Sequence, residues 1–94
     1  MDIRKPKFKL LVQDIFNVAG MGVVVTGPVT EGAVRVGDIV NLIKSDGSKK
    51  SCRIKQIEGF RKVLQEALLG DNIGLLLEGV EKSDINTGDN ITFE

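Results

Sequence analysis

Apolar residues in this chain recur with a short period, in stretches broken by glycine, asparagine and aspartate, which predicts short strands joined by tight turns. In the first stretch Phe8, Leu10, Val12 and Phe16 share one face of an extended segment, and Lys9, Leu11, Gln13 and Ile15 share the other. Asn17 to Gly22 turns the chain. Val23, Val25 and Val29 follow at even spacing, interrupted by Gly27-Pro28; proline cannot donate to a ladder, so Pro28 belongs at an edge, a bulge or a strand end. Gly32 to Ile43 predicts a short strand with Val34 and Val36, a turn at Gly37-Asp38 and a second strand over Ile39 to Ile43. Asp46-Gly47 is the clearest hairpin signal, and Cys52, Ile54 and Ile57 continue beyond it with Lys49, Lys50, Arg53 and Lys55 as a wet face. Between Phe60 and Leu68 the spacing of Phe60, Val63, Leu64 and Ala67 matches a helix template of about two turns. After the break at Gly70-Asp71-Asn72, Ile73 to Leu77 reads as a strand, and Asn86 to Asp89 turns into a closing strand at Ile91 and Phe93. Six or seven strands suit a small closed barrel, which leaves no long exposed edge.

The 94 residues suffice for one domain, placed over residues 8–94 after a basic lead-in at 1–7 that contains Arg4, Lys5 and Lys7. Thirteen basic residues balance thirteen acidic ones, so general electrostatic attachment to nucleic acid is disfavoured and any RNA contact must be local. The single cysteine, Cys52, has no partner for an internal disulfide, and with no signal peptide pattern it predicts a reducing, cytoplasmic setting. Histidine is absent, which removes Cys–His nucleophiles and His-based zinc sites. No apolar run approaches the ~20 residues of a membrane-spanning helix.

The motifs of common chemistries fail on spacing. Gly20-Met21-Gly22 lacks the third glycine of a dinucleotide fingerprint, and Gly47-Ser48-Lys49-Lys50-Ser51 has Leu42 where a phosphate loop needs glycine. Asp14, Glu58, Glu66, Asp71, Glu78 and Asp84 show neither metal-ligand nor paired acid–base spacing. The expectation is a protein with no enzymatic activity and no cofactor.

Read as longer phrases, the sequence is more specific. Gly22-Val23-Val24-Val25-Thr26-Gly27-Pro28-Val29, Gly32 to Asp38, Glu58-Gly59-Phe60-Arg61-Lys62 and Gly70 to Leu77 occur in the order and at the separations of the second domain of translational GTPases of the elongation factor Tu type. The chain resembles that domain from Phe8 to Thr92. The resemblance implies an all-β fold, a small closed six-stranded barrel of Greek-key type, and it replaces the helix over Phe60 to Leu64 by a strand extended through Arg61. It also implies a pocket for the aminoacylated 3′ end of transfer RNA, with Glu58, Arg61 and Asn72 at the positions of the terminal-adenosine pocket and the Val23 to Val25 strand as an apolar wall. A carboxylate or amide can read the edges of an unpaired base, and an arginine can meet phosphate. Where the family usually carries basic residues, this chain has Met21, Pro28, Glu78 and Ser83, each a phosphate contact removed. The GTP-binding domain is not in this sequence, so no GTP binding is expected of it. Two functions follow: a translation-factor module that contacts a transfer RNA end or a translation-machinery protein, or a protein-interaction module, a mimic or regulator, that has lost RNA binding.

Overall fold

The computed structural model describes residues 7–93, so the basic lead-in lies, Lys7 excepted, outside the described residues. The strands are β1 (Phe8–Leu11), β2 (Asp14–Val18), β3 (Gly22–Arg35), β4 (Ile39–Ile43), β5 (Lys49–Gly59), β6 (Lys62–Leu64), β7 (Glu66–Leu68), β8 (Asn72–Glu78) and β9 (Asn90–Phe93), with one 3-10 turn, η1, at Lys82–Asp84. Six of them close a ring in the order β1-β9-β4-β5-β8-β3, sealed by antiparallel pairing of β1 with β3. Crossings from β3 to β4 and from β8 to β9 set the order apart from a simple meander, as a Greek-key barrel requires. Alternation fills the interior: Leu10, Val25, Leu42, Ile54, Leu75 and Ile91 are among the fully buried side chains, and their strand neighbours face out.

Strand β3 bears the greatest load. Along Gly22 to Thr26 it pairs with β2 on one edge and β8 on the other, then takes up β1 near Val29 and β7 at its end. The chain jogs between β1 and β2, and no residue of either is registered opposite Pro28, so the missing proline N–H interrupts no ladder there. The same jog explains a departure from simple alternation. Phe8, Leu10 and Val12 point inward as the spacing predicts, but the break at Val12-Gln13 shifts the parity, leaving Phe16 half-exposed outside and turning Ile15 towards the core.

The region Phe60 to Leu68 is not helical. β5 ends at Gly59, and Gly59 pairs with Lys62, so Phe60-Arg61 is the two-residue loop of a hairpin and the strand expected to run through Arg61 stops short of it. The helix-like spacing arose because β6 and β7 are three residues each, with Gln65 between them.

Four turns repeat one device. In Arg35–Asp38, Leu68–Asp71, Glu81–Asp84 and Asn86–Asp89 the aspartate N–H donates to the carbonyl three residues earlier, at 2.9–3.1 Å. The N–H of that earlier residue donates back to the aspartate carboxylate at 2.8–2.9 Å. Each turn thereby satisfies its own polar groups, which matters most for Asp89, almost fully buried. Lys50 Nζ adds a 2.9 Å ion pair to Asp84, tying β5 to η1.

Two glycines permit the closure. A Cβ on Gly27 would lie 1.8 Å from the Leu11 carbonyl oxygen, and one on Gly32 would meet the Lys7 carbonyl oxygen at 1.1 Å. Gly47, by contrast, has φ +88° but open space around it. Gly27→Ala is therefore expected to cost at least about 1–3 kcal/mol through forced backbone displacement, and Gly47→Ala about 1–2 kcal/mol through its left-handed backbone alone. Urea unfolding of both variants checks this, and a Gly27→Ala barrel as stable as the parent would contradict the close approach.

Candidate functional site

On the outer face of β2, β3, β8 and β5 the register builds a grid of side chains. One row runs Phe16, Val24, Leu76, Gln56, and the next runs Asp14, Thr26, Gly74, Glu58. Gly74 puts no side chain between Thr26 and Glu58, and the surface dips there. Two depressions share Val24, Glu58 and Gly74. The smaller, ≈ 230 Å³, is walled by Val18, Met21, Val24 and Leu76 with Gln56 and Glu58 along one side. The larger and more open one, ≈ 580 Å³, extends past Gly74 to Phe16 and Thr26 on one flank and to Gly59, Arg61, Lys62 and Val63 on the other.

The structure separates the residues singled out from the sequence. Glu58 borders both depressions and Arg61 the larger one. Asn72 is exposed on the outer face of β8, two residues before Gly74 and opposite Pro28, and its side chain lines neither depression. Val23 and Val25 do not form an apolar wall: they are 4% and 0% exposed and belong to the barrel core. The wall comes from the intervening Val24, with Val18, Met21 and Leu76. Leu76 could have been found by parity, since Ile73, Leu75 and Leu77 fill the interior while Leu76 points the other way, is 7% exposed and stands outside the core cluster. Met21, at a position where the family usually carries a basic residue, supplies apolar surface.

Polar groups are sparse in the smaller depression. Gln56 Nε2 donates a long hydrogen bond, 3.4 Å, to Glu58 Oε2, which holds the two side chains together at the edge and leaves the other carboxylate oxygen to accept from a ligand. Neither Arg61 nor Lys62 forms an ion pair with any described residue. The hairpin that carries them is strained: Phe60 and Arg61 have φ of +55° and +63°, values natural to Asn-Gly and unfavourable for a bulky aromatic. Phe60 is 68% exposed, so packing does not offset that strain.

Burial pushes the Cys52 thiol up to about 11, leaving it protonated and unreactive inside the barrel. Backbone donation from Glu81 and then the Lys50 ion pair hold the Asp84 carboxyl below its ordinary value, and the Ser48 hydroxyl and N–H do the same for Asp46; both serve turns. Among the described residues no group of three or more acidic or cysteine side chains could hold a metal, and no helix is long and apolar enough to cross a membrane.

The fold and this outer face define a closed β-barrel binding module. Its family is equally clear: residues 22–92 match elongation factor Tu domain 2, and the chain belongs to that family, a non-catalytic barrel module of translation factors whose full-length members are GTPases. The crystal structure of translation elongation factor SelB from Methanococcus maripaludis, in its apo form, superposes with a TM-score of 0.84 at 31% identity over 94% of this chain. The match spans 19% of the SelB chain.

Two outcomes follow. Replacing Phe60-Arg61 by Asn-Gly is expected to raise stability by about 1–3 kcal/mol, since each left-handed non-glycine residue costs on that order; a lower thermal midpoint in the double variant would show that the tip is not strained. For Cys52 the folded value lies above the ordinary 9.0, so its contribution is fully present below pH 9.0 and lost as pH rises towards 11. The loss of urea resistance over that range should accordingly be shallower in Cys52→Ala than in the parent, and equal slopes would contradict a buried neutral thiol.

Proposed function

We propose that this barrel binds the unpaired aminoacylated 3′ end of a transfer RNA, with the terminal adenine in the smaller depression. The observation that carries the reading is the Val18, Met21, Val24 and Leu76 slot with Glu58 and Gln56 at its edge, on a barrel of the elongation factor Tu domain 2 family. An apolar slot takes the faces of a base that has left its stack, and the carboxylate with its amide neighbour accepts from and donates to the base edge or the ribose hydroxyls. Arg61, at the rim of the adjoining depression and without an ion pair to any described residue, supplies the phosphate contact. Asn72 lies outside the slot, opposite Pro28 on the outer face of β8, and takes no part in holding the base. With formal net charge zero, attachment depends on these contacts and not on a general basic field.

A second reading has its own observation. Leu68 and Leu69 are 50% and 64% exposed where β7 meets the Leu68–Asp71 turn, an apolar tip suited to a translation-machinery protein. A complex recovered from lysate that survives nuclease and is lost in Leu69→Ser would favour it.

The RNA reading is tested at Gly74. A Cβ there meets the Val24 and Thr26 methyl groups at 3.5 and 3.6 Å and the Val25 carbonyl oxygen at 3.9 Å, ordinary contact distances. Gly74→Leu should therefore fold as the parent does and fill the shared floor, abolishing binding of an aminoacylated CCA trinucleotide. Glu58→Ala is expected to weaken the same ligand by about tenfold, the loss of one charged hydrogen bond. A parent protein that shows no binding of the trinucleotide, or a Gly74→Leu variant that binds it unchanged, overturns the reading.

A further inference from the structure

We propose that a hollow on the opposite wall of the barrel, over β1, β9 and β4, binds a diphosphate group, free or at the end of a larger ester. The hollow shares no residue with the two depressions and is independent of the RNA reading.

In the ring β9 stands three places from β8, so this wall faces away from Val24, Gly74 and Glu58. The hollow measures ≈ 440 Å³, and Lys7, Lys9, Glu31, Ile43, Lys49 and Thr92 line it beside Phe8. Register brings these residues together. Lys9 lies opposite Glu31 on β3 and opposite Thr92 on β9, and Ile43 of β4 lies opposite Lys49 of β5. Lys7 stands two positions before Lys9, so lysines enter from both ends of the run β1-β9-β4-β5, three strand spacings or about 14 Å wide. Three ammonium groups thus border one concavity with a single carboxylate among its lining residues. That carboxylate is loosely held: Glu31 Oε2 is 3.8 Å from Lys9 Nζ, and both side chains are about half exposed. Lys7 makes no ion pair with a described residue.

The lining selects the ligand. Lysine is a compact point charge with rotatable donors, whereas planar carboxylates are matched by the fork of arginine, and no arginine borders the hollow. A tetrahedral polyanion, with acceptor oxygens in every direction, suits three such charges and the Thr92 hydroxyl on the strand between them. Cations entering from both ends match two adjoining phosphates better than one. Phe8 is 2% exposed, so no ring in the hollow is open to stack on a base, and the phosphates alone supply the recognition. With formal net charge zero, the attraction is local to this wall.

The test is nuclear magnetic resonance titration of the full chain, without divalent metal, with pyrophosphate, orthophosphate, methyl diphosphate and citrate. Pyrophosphate is expected to shift the resonances of Lys9, Ile43, Lys49 and Thr92 and to bind about tenfold more tightly than orthophosphate, the gain of one charged hydrogen bond. Lys7→Gln and Lys49→Gln, both at exposed positions, should each weaken it by about tenfold. Glu31→Gln should tighten it by about two- to fivefold, because a like charge is removed and Lys9 is released from a surface pair. Methyl diphosphate binding more tightly than pyrophosphate places the group in an ester, and weaker binding places it free; either keeps the site. Citrate as tight as pyrophosphate, a Glu31→Gln variant that gains nothing, shifts spread over every exposed lysine, or no shift at all overturns the proposal.

Discussion

Closure of the ring through β1 and β3 is the constraint on which the rest of this molecule depends. A sheet of six short strands in a chain of this size would otherwise expose two unpaired edges, and closing it removes both while enclosing one core. To close, β3 must serve β2 and β1 in succession along one edge, and the carbonyls of Leu11 and Lys7 come so near that only glycine fits at positions 27 and 32. The jog at Val12-Gln13 is the other half of that arrangement. It lets the chain leave β1 and resume as β2 in opposite parity, which is how Phe16 comes to stand outside the barrel.

Turn chemistry supports this closure locally. Four loops end on an aspartate that pairs with the residue three positions earlier through both backbone and carboxylate, and backbone bonds such as Gly37 N–H to the Ile54 carbonyl and Gly70 N–H to the Val29 carbonyl anchor the loops to the strands. The barrel ends are thereby fixed, and among the described residues no buried side-chain polar atom lacks a partner. The exception to this comfort is the Phe60-Arg61 tip, whose backbone is unfavourable for both residues and whose aromatic side chain is exposed. That tip carries a guanidinium and a neighbouring lysine at the border of the larger depression.

Most of the fold was legible in the sequence because two-residue alternation and Gly-Asp turns have direct physical counterparts in strands and reverse turns. Where the reading departed from the structure, the cause was local. Phe60, Val63, Leu64 and Ala67 mimic a helical period because two three-residue strands are too short to show their own. Phe16 was placed on the face of Phe8, Leu10 and Val12 because alternation carries no record of a break between two strands. The site was legible only in part: Glu58 and Arg61 lie beside the depressions, but assigning the wall to Val23 and Val25 counted the strand as a whole and overlooked its parity. Leu76 was hidden within an apolar run whose alternate members fill the core.

That error of parity carries a general consequence for this architecture. A six-stranded barrel of this size is filled by its own side chains, so the inward residues are committed to stability and a ligand site must be written on the outward ones. The outward set here is uneven. Gly74 lowers the surface, Val24 and Leu76 make it apolar, and Glu58 and Arg61 place opposite charges at different points along it. With zero formal net charge on the chain, the RNA contact proposed above would depend on where these charges stand relative to the apolar floor rather than on their sum.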